Sequence, residues 1–201
     1  MTTFLKSATA SSGFITDPTV GDGTLAIQTG NTPGSQVTAL SFAADGTPTF
    51  LKARGGVAQI QTATLTTVAT GTTVFTGTDT IPTNTAGDQY LSLAVTPTNA
   101  NSLLEIEVQI PLSCSVAGQV GAALLQDATA NALAASLATW STDVPTTLCF
   151  KHIMTAGTTS ATTFKVRAGG SAGTTTVNGR SSARLLGGAM YARITIKEYL
   201  P

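Results

Sequence analysis

The sequence is poor in charge: only 10% of its 201 residues are Asp, Glu, Lys or Arg, against about 25% in an average soluble domain. Ten basic residues balance ten acidic ones, and no basic cluster is dense enough to suggest a nucleic-acid surface. Cysteine is limited to Cys114 and Cys149 and histidine to His152, too few ligands, too far apart, for a zinc site. Each cysteine sits inside a strand-like run, which favours buried reduced thiols, with a disulfide between them left open. No apolar stretch approaches the roughly eighteen residues that cross a bilayer, so a soluble protein is expected. The opening Met1-Thr-Thr-Phe-Leu-Lys-Ser7 lacks a basic segment followed by an apolar one. No secretory signal is visible in it, and synthesis in a cytoplasm is expected.

Threonine, alanine, glycine and serine fill the space that charge leaves. Threonine is β-branched and fits a pleated, half-wet surface, so it gives strands polarity without charge. Formal charge sums to zero but is unevenly spread. Residues 1–143 hold three bases against nine acids, and residues 144–201 hold seven bases against Glu198 alone. Two halves of one domain that neutralise each other account for this. A basic surface for an anionic partner, such as a bacterial envelope polysaccharide, is the sharper alternative.

Three segments follow from the patterning. Residues 1–21 show neither helical nor strand period and place Gly13, Pro18 and Gly21 around the apolar pairs Phe4-Leu5 and Phe14-Ile15. They read as an extended arm whose Phe4, Leu5, Phe14 and Ile15 dock onto another subunit, with simple disorder as the alternative. Residues 22–56 read as a short β-meander, in which Leu25 and Ile27, then Leu40 and Phe42, alternate with polar neighbours. So few large side chains cannot stabilise an isolated sheet. The meander therefore pairs with copies of itself or lies on the following domain.

Arg54-Gly-Gly56 is a hinge before an all-β domain over residues 57–201. Strands are expected at residues 58–69, 71–77, 90–96, 103–115, 120–126, 146–155, 162–168 and 189–199. The run from Leu104 to Leu112 alternates aliphatic residues with Glu105, Glu107, Gln109 and Pro111, the clearest two-residue period present. Turn signals at Ala86-Gly-Asp88, Ala117-Gly118, Gly169-Gly170, Asn178-Gly179 and Gly187-Gly188 separate the runs. The pattern predicts an antiparallel β-sandwich, jelly-roll-like in kind. Residues 131–140 stay open between helix and strand, because Leu133, Leu137 and Trp140 stand at helical spacing behind Asn131 as a cap.

No catalytic constellation emerges. His152 reads as a surface or satisfied strand histidine, and no nucleophile-elbow motif accompanies the serines or cysteines. Glu105 and Glu107 share a strand face and read as a solvated face rather than a carboxylate pair. Asp79, Asp88 and Asp127 lie near turns without calcium-loop spacing, and turn-forming roles suit them better than ion ligation. Ala168-Gly-Gly-Ser-Ala-Gly173 lacks the lysine and helix of a phosphate loop and reads as a turn. The chain is expected to be no enzyme and to take no cofactor or metal. The hydroxyl-rich stretch from Thr155 to Gly179 reads as two loops flanking one strand. Ordinary solvent-facing connections are the first reading of these loops, and Thr158, Thr159, Ser160, Asn178 and Arg180 are the candidate receptor or partner contacts in them.

The segments Gln126–Ala135, His152–Gly169 and Leu185–Glu198 resemble the C-terminal β-sandwich of tailed-bacteriophage tail-fibre and other virion structural proteins. Gly23–Thr29 with Ala39–Gly46 is similar to the short β-repeat that often precedes it. The resemblance implies a homotrimer in the virion, anchored through its N-terminal segment to other tail or capsid proteins, with a distal knob that meets the host or solvent. A short tail fibre or spike for host-surface attachment is the first function it implies. The long shaft of a typical tail fibre is missing, and a capsid-bound head fibre or decoration protein is the alternative; a polysaccharide depolymerase ranks last. Nucleic-acid and membrane partners are not expected.

Overall fold

A computed structural model describes residues 56–201 in full and, before them, the backbone of three strands within residues 25–50. The chain divides into two compact units, Met1–Arg54 and Gly55–Pro201. In the first, β1 (Leu25–Thr29), β2 (Val37–Phe42) and β3 (Pro48–Phe50) form an antiparallel sheet in chain order. A register shift falls between Ile27 and Gln28. The arm residues Phe4, Leu5, Phe14 and Ile15 lie outside the described residues.

The second unit is all-β. Its long strands are β4 (Val57–Leu65), β6 (Asp88–Val95), β7 (Leu103–Cys114), β8 (Gly118–Gln126), β9 (Ala134–Trp140), β10 (Thr146–Thr155), β11 (Thr162–Gly170) and β15 (Ala192–Tyr199). Short strands β5 (Ala69–Gly71), β12 (Thr175–Val177), β13 (Gly179–Arg180) and β14 (Ala183–Arg184) complete it. One sheet runs β4-β15-β7 with β10 on the remaining side of β7, and β12 and β5 extend it beyond the end of β15. The other sheet runs β6-β11-β8-β9. Taken in chain order, the first, eighth, third and sixth long strands make one sheet; the second, seventh, fourth and fifth make the other. That order, antiparallel throughout, is the jelly-roll arrangement of two interleaved Greek keys.

The two-residue period explains the packing. On β7, Leu104, Ile106, Val108, Ile110 and Leu112 are fully buried, and on β15 Ala192, Ile194 and Ile196 join them. Across the sandwich Val120, Ala122 and Leu124 of β8 and Phe164, Val166 and Ala168 of β11 fill the same core. Side chains two apart on a strand share a face, so each of these strands commits one full face to the core.

Three readings change, and one that stood open is settled. The strand expected at residues 71–77 is confined to Ala69–Gly71; the chain then leaves the sheet, and Phe75 packs against Ala123 and Leu125 in a small second cluster. Residues 134–140 are a strand, the edge of the β6-β11-β8-β9 sheet. The small residues Ala134, Ser136 and Ala138 face inward there while Leu137 points out at 45% exposure, so the leucine spacing reported the wrong face. The second hydroxyl-rich loop contains buried β12. Of the two cysteines, Cys114 is buried and Cys149 is exposed, both as free thiols.

Candidate self-association face

The outer face of the β4-β15-β7-β10 sheet is built from the residues that alternate with the core. Register places Ile60, Lys197, Glu105 and Ile153 in one row across the four strands. The next row is Thr62, Thr195, Glu107 and Lys151, and the one after it Thr64, Arg193, Gln109 and Cys149. Directly opposed residues in adjacent strands project from the same face. With strands about 4.8 Å apart, Ile60 and Ile153 stand about 14 Å from each other with the charged pair between them.

Ile60 is 59% and Ile153 55% exposed, with Leu103 at 43% one row away. A half-exposed isoleucine keeps about 1 kcal/mol of unrealised burial, and here two of them flank a strip that is electrically closed. Lys197 Nζ donates to Glu105 Oε1 at 2.9 Å. Lys151 Nζ lies 3.7 Å from both Glu105 Oε1 and Glu107 Oε2. The hydrogen bond from Lys197 holds the Glu105 carboxyl below the usual range against the opposing effect of desolvation, with Lys151 adding its attraction. Two lysines and two glutamates sum to zero, so a partner covering these two rows meets no unpaired charge, the condition that makes burying ions tolerable, while Arg193 in the next row remains a cation outside the network. At the strip's end Arg193 lies over the Tyr191 ring, 5.9 Å from its centroid.

The residues singled out in the sequence occupy other places. Thr158, Thr159 and Ser160 form the β10–β11 turn, where Thr159 and Ser160 are exposed and Ser160 N donates to Thr158 Oγ1 at 2.9 Å. Arg180 is exposed on the β13–β14 hairpin. Asn178 departs from the expectation: it is fully buried. Its Nδ2 donates to Leu65 O at 2.7 Å and Thr67 O at 2.8 Å, and its backbone N to Pro111 O at 3.0 Å. With φ at 60° it sits in the left-handed region that asparagine tolerates. The Asn178-Gly179 signal is thus a structural pin and not a contact loop. His152 is half-buried on β10 opposite Ile106.

The aspartates anchor backbone. Asp88 accepts from Thr73 N at 2.9 Å and Thr73 Oγ1 at 2.6 Å, and Asp127 accepts from Thr163 N at 2.7 Å and Thr162 Oγ1 at 2.8 Å. Among the described residues no three His, Cys, Asp or Glu side chains gather as a metal-binding group.

Glu198, which nothing in the pattern marked, is a fully buried carboxylate. It accepts from Gln59 Nε2 at 2.6 Å, Thr98 Oγ1 at 2.7 Å, Thr98 N at 2.8 Å and Asn99 N at 3.3 Å. Burial alone pushes its pKa up; the donors, Gln59 and Thr98 foremost, outweigh burial and bring it below the usual carboxylate value. It closes the loop between β6 and β7 onto β15.

The sugar-binding EclA C-terminal domain is 14% identical with a TM-score of 0.33, over 60% of this chain and 75% of that one. The infectious bursal disease virus Gt strain structure is 13% identical with a TM-score of 0.38, over 90% of this chain and 48% of that one. The VP2 subviral particle of the same virus is 11% identical with a TM-score of 0.34, over 85% and 41%. The chain thus spans less than half the length of the viral proteins. A search of curated proteins returns no match. Residues 60–201, more than two thirds of the chain and nearly all of its jelly roll, match the model of the Pgp3 C-terminal domain, and the chain belongs to that family.

Proposed function

We propose that this chain is a non-enzymatic structural subunit that assembles as a homotrimer and presents its jelly roll at the surface of a virion. The observation that carries the assembly is the outer face of β4-β15-β7-β10, where exposed Ile60, Ile153 and Leu103 border an ion strip of zero net charge. A face of that make-up gains from being covered by copies of itself: apolar surface leaves water and no lysine or glutamate loses its partner. Association also supplies partners for the lean segment of β1, β2 and β3, a sheet of three strands among the described residues whose sequence holds few large side chains.

Within that role, the finer reading is a short tail fibre or spike of a tailed bacteriophage that attaches to the host surface. It draws on the likeness of Gln126–Ala135, His152–Gly169 and Leu185–Glu198 to phage-fibre knobs. Exposed Thr159, Ser160 and Arg180 supply polar contacts, and the basic C-terminal half steers an anionic receptor. Sedimentation equilibrium of the whole chain tests the assembly, with a mass of three chains expected at micromolar concentration and a single-chain mass overturning it. Electron microscopy of virions tests the location: density at the tail tip supports attachment, and density on the head replaces it with decoration.

A further inference from the structure

The second sheet carries a polar cleft of about 300 Å3 on its outer face, lined by Asn84, Gln89, Leu125, Asp127, Lys165 and Arg167 among others. Three features of the chain build it. The segment after β5 crosses the outside of the β6-β11-β8-β9 sheet, pinned by Phe75 N donating to Gly170 O at 2.9 Å and Gly87 N to Val74 O at 3.0 Å, and it brings Asn84 over the strands. A register shift between Val166 and Arg167 in the β11–β6 pairing sets Gln89 opposite Arg167; such bulges re-aim side chains. Asp127, at φ 50°, turns the chain at the end of β8 and closes the cleft's far side.

Its hydrogen-bonding capacity is only partly used. Arg167 Nε donates to Ala86 O at 3.0 Å, and one terminal guanidinium nitrogen to Gly87 O. A guanidinium has five N–H groups, so the end-on pair of terminal nitrogens keeps donors for a planar acceptor. Lys165 Nζ gives one of its three protons to Asp127 O at 2.8 Å. Neither cation meets a carboxylate in an ion pair among the described residues, where Lys151 and Lys197 do. Both Asp127 carboxylate oxygens accept a hydrogen bond, from Thr162 and Thr163, and the lining as a whole carries two positive charges, Lys165 and Arg167, against the one negative charge of Asp127. The Asn84 and Gln89 amides make no side-chain hydrogen bond among the described residues, and the cleft's floor is closed by Leu125, which is buried.

We infer that this cleft binds a carboxylated saccharide. The carboxylate takes the end-on edge of Arg167 and the ammonium of Lys165, the geometry in which arginine recognises planar anions. Ring hydroxyls pair with the Asn84 and Gln89 amides. The volume, at the small end of ligand pockets, fits one or two sugar rings. The site deepens the attachment half of the proposed function and rests on that reading for the source of the sugar. Its chemistry stands on a different sheet from the self-association face.

The test is calorimetric titration of the full-length protein with glucuronate-containing oligosaccharides and with matched glucose oligosaccharides. Binding of the first and not the second is expected, weakening as salt rises from 50 to about 500 mM because both cations are partly exposed. Lys165→Gln and Gln89→Ala, neither of which touches the loop anchor, are expected to weaken binding about tenfold each. Arg167→Lys keeps the charge but loses the planar edge, and is expected to lose more. Equal affinity for the neutral sugar, no binding at millimolar glucuronate, or unchanged affinity in all three variants overturns the site. Adsorption of the same samples to host cells separates the two ideas: wild-type cell binding without glucuronate binding keeps attachment and removes this cleft from it.

Discussion

The ring of Phe75 lies on the bare Cα of Gly121, and a β-carbon at that glycine would overlap the ring. Gly169 makes the same approach from β11, where a β-carbon would come within 2.7 Å of Thr73 O. Two glycines on adjacent strands thus form a shallow seat, and the segment after β5 uses it to reach across the sheet and frame the cleft. Gly121→Ala is expected to destabilise the fold by about 1–3 kcal/mol, the range for overpacking a filled site. Because the cost arises from one contact, adding Phe75→Ala to Gly121→Ala should cost less than the two single changes summed. Urea denaturation of the four proteins measures this, and strict additivity would disprove the contact's role.

Glu198 ties acid stability to one buried group. Its folded pKa lies below the ordinary value of 4.5, so the unfolded chain takes up protons first as pH falls. The stabilisation is therefore complete above the ordinary carboxylate pKa and is lost as pH drops through the lower folded value. Glu198→Ala should cost about 3 kcal/mol at neutral pH, since it strands the Thr98 and Asn99 amides and the Gln59 side chain. Glu198→Gln keeps an acceptor and should cost less. In denaturant titrations the gap between wild type and Glu198→Gln is expected to narrow steadily below about pH 4.5; a gap unchanged down to pH 2 would show that the charge contributes nothing.

Much of the jelly roll was legible because period and burial coincide where a strand has one wet face. Leu104 to Leu112 alternates over its whole length and lies in the middle of its sheet. Legibility failed where an edge strand buries small residues, as Ala134, Ser136 and Ala138 do, and shows a leucine to the outside. It failed again at residues 72–77, where a β-like composition serves as a strap: Phe75 is buried, but Thr73 and Val74 hydrogen-bond across to Asp88 and Gly87 rather than in a ladder. The candidate sites fared according to reach. Glu105 and Glu107 were rightly placed on one face, but the isoleucines that give that face its character stand on β4 and β10, far away in sequence. Neither the cleft nor the Glu198 nest has a local signature, since each collects residues from three or more elements.

Asn178 offers a separation of two roles that one residue performs. Asn178→Gly preserves access to the left-handed φ and deletes only the side-chain donors to Leu65 O and Thr67 O. Asn178→Ala deletes the donors and adds backbone strain of about 1 kcal/mol or more. The expected order of stability is wild type, then glycine about 2 kcal/mol lower, then alanine lower again, read by thermal and urea unfolding. Alanine equal to glycine would mean that the backbone conformation carries no cost.

Cys149 reports directly on whether the face with Ile60 and Ile153 is covered. It stands exposed in the row of Thr64, Arg193 and Gln109, while Cys114 is buried with its thiol donating to Ala172 O at 2.9 Å and serves as the internal control. If copies associate through this sheet, Cys149 should react slowly with a thiol reagent at micromolar protein and faster on dilution. Ile153→Glu places an unpaired carboxylate beside Glu105, the residue opposite it on β7. An unpaired buried charge costs about 3–5 kcal/mol, enough to release the copies while leaving the exposed position harmless in a single chain. The variant is expected to sediment as one chain, to keep the wild-type circular dichroism spectrum, and to expose Cys149 to modification at least about tenfold faster. Rapid modification of Cys149 in a wild-type sample whose mass is three chains would place the contact on another surface.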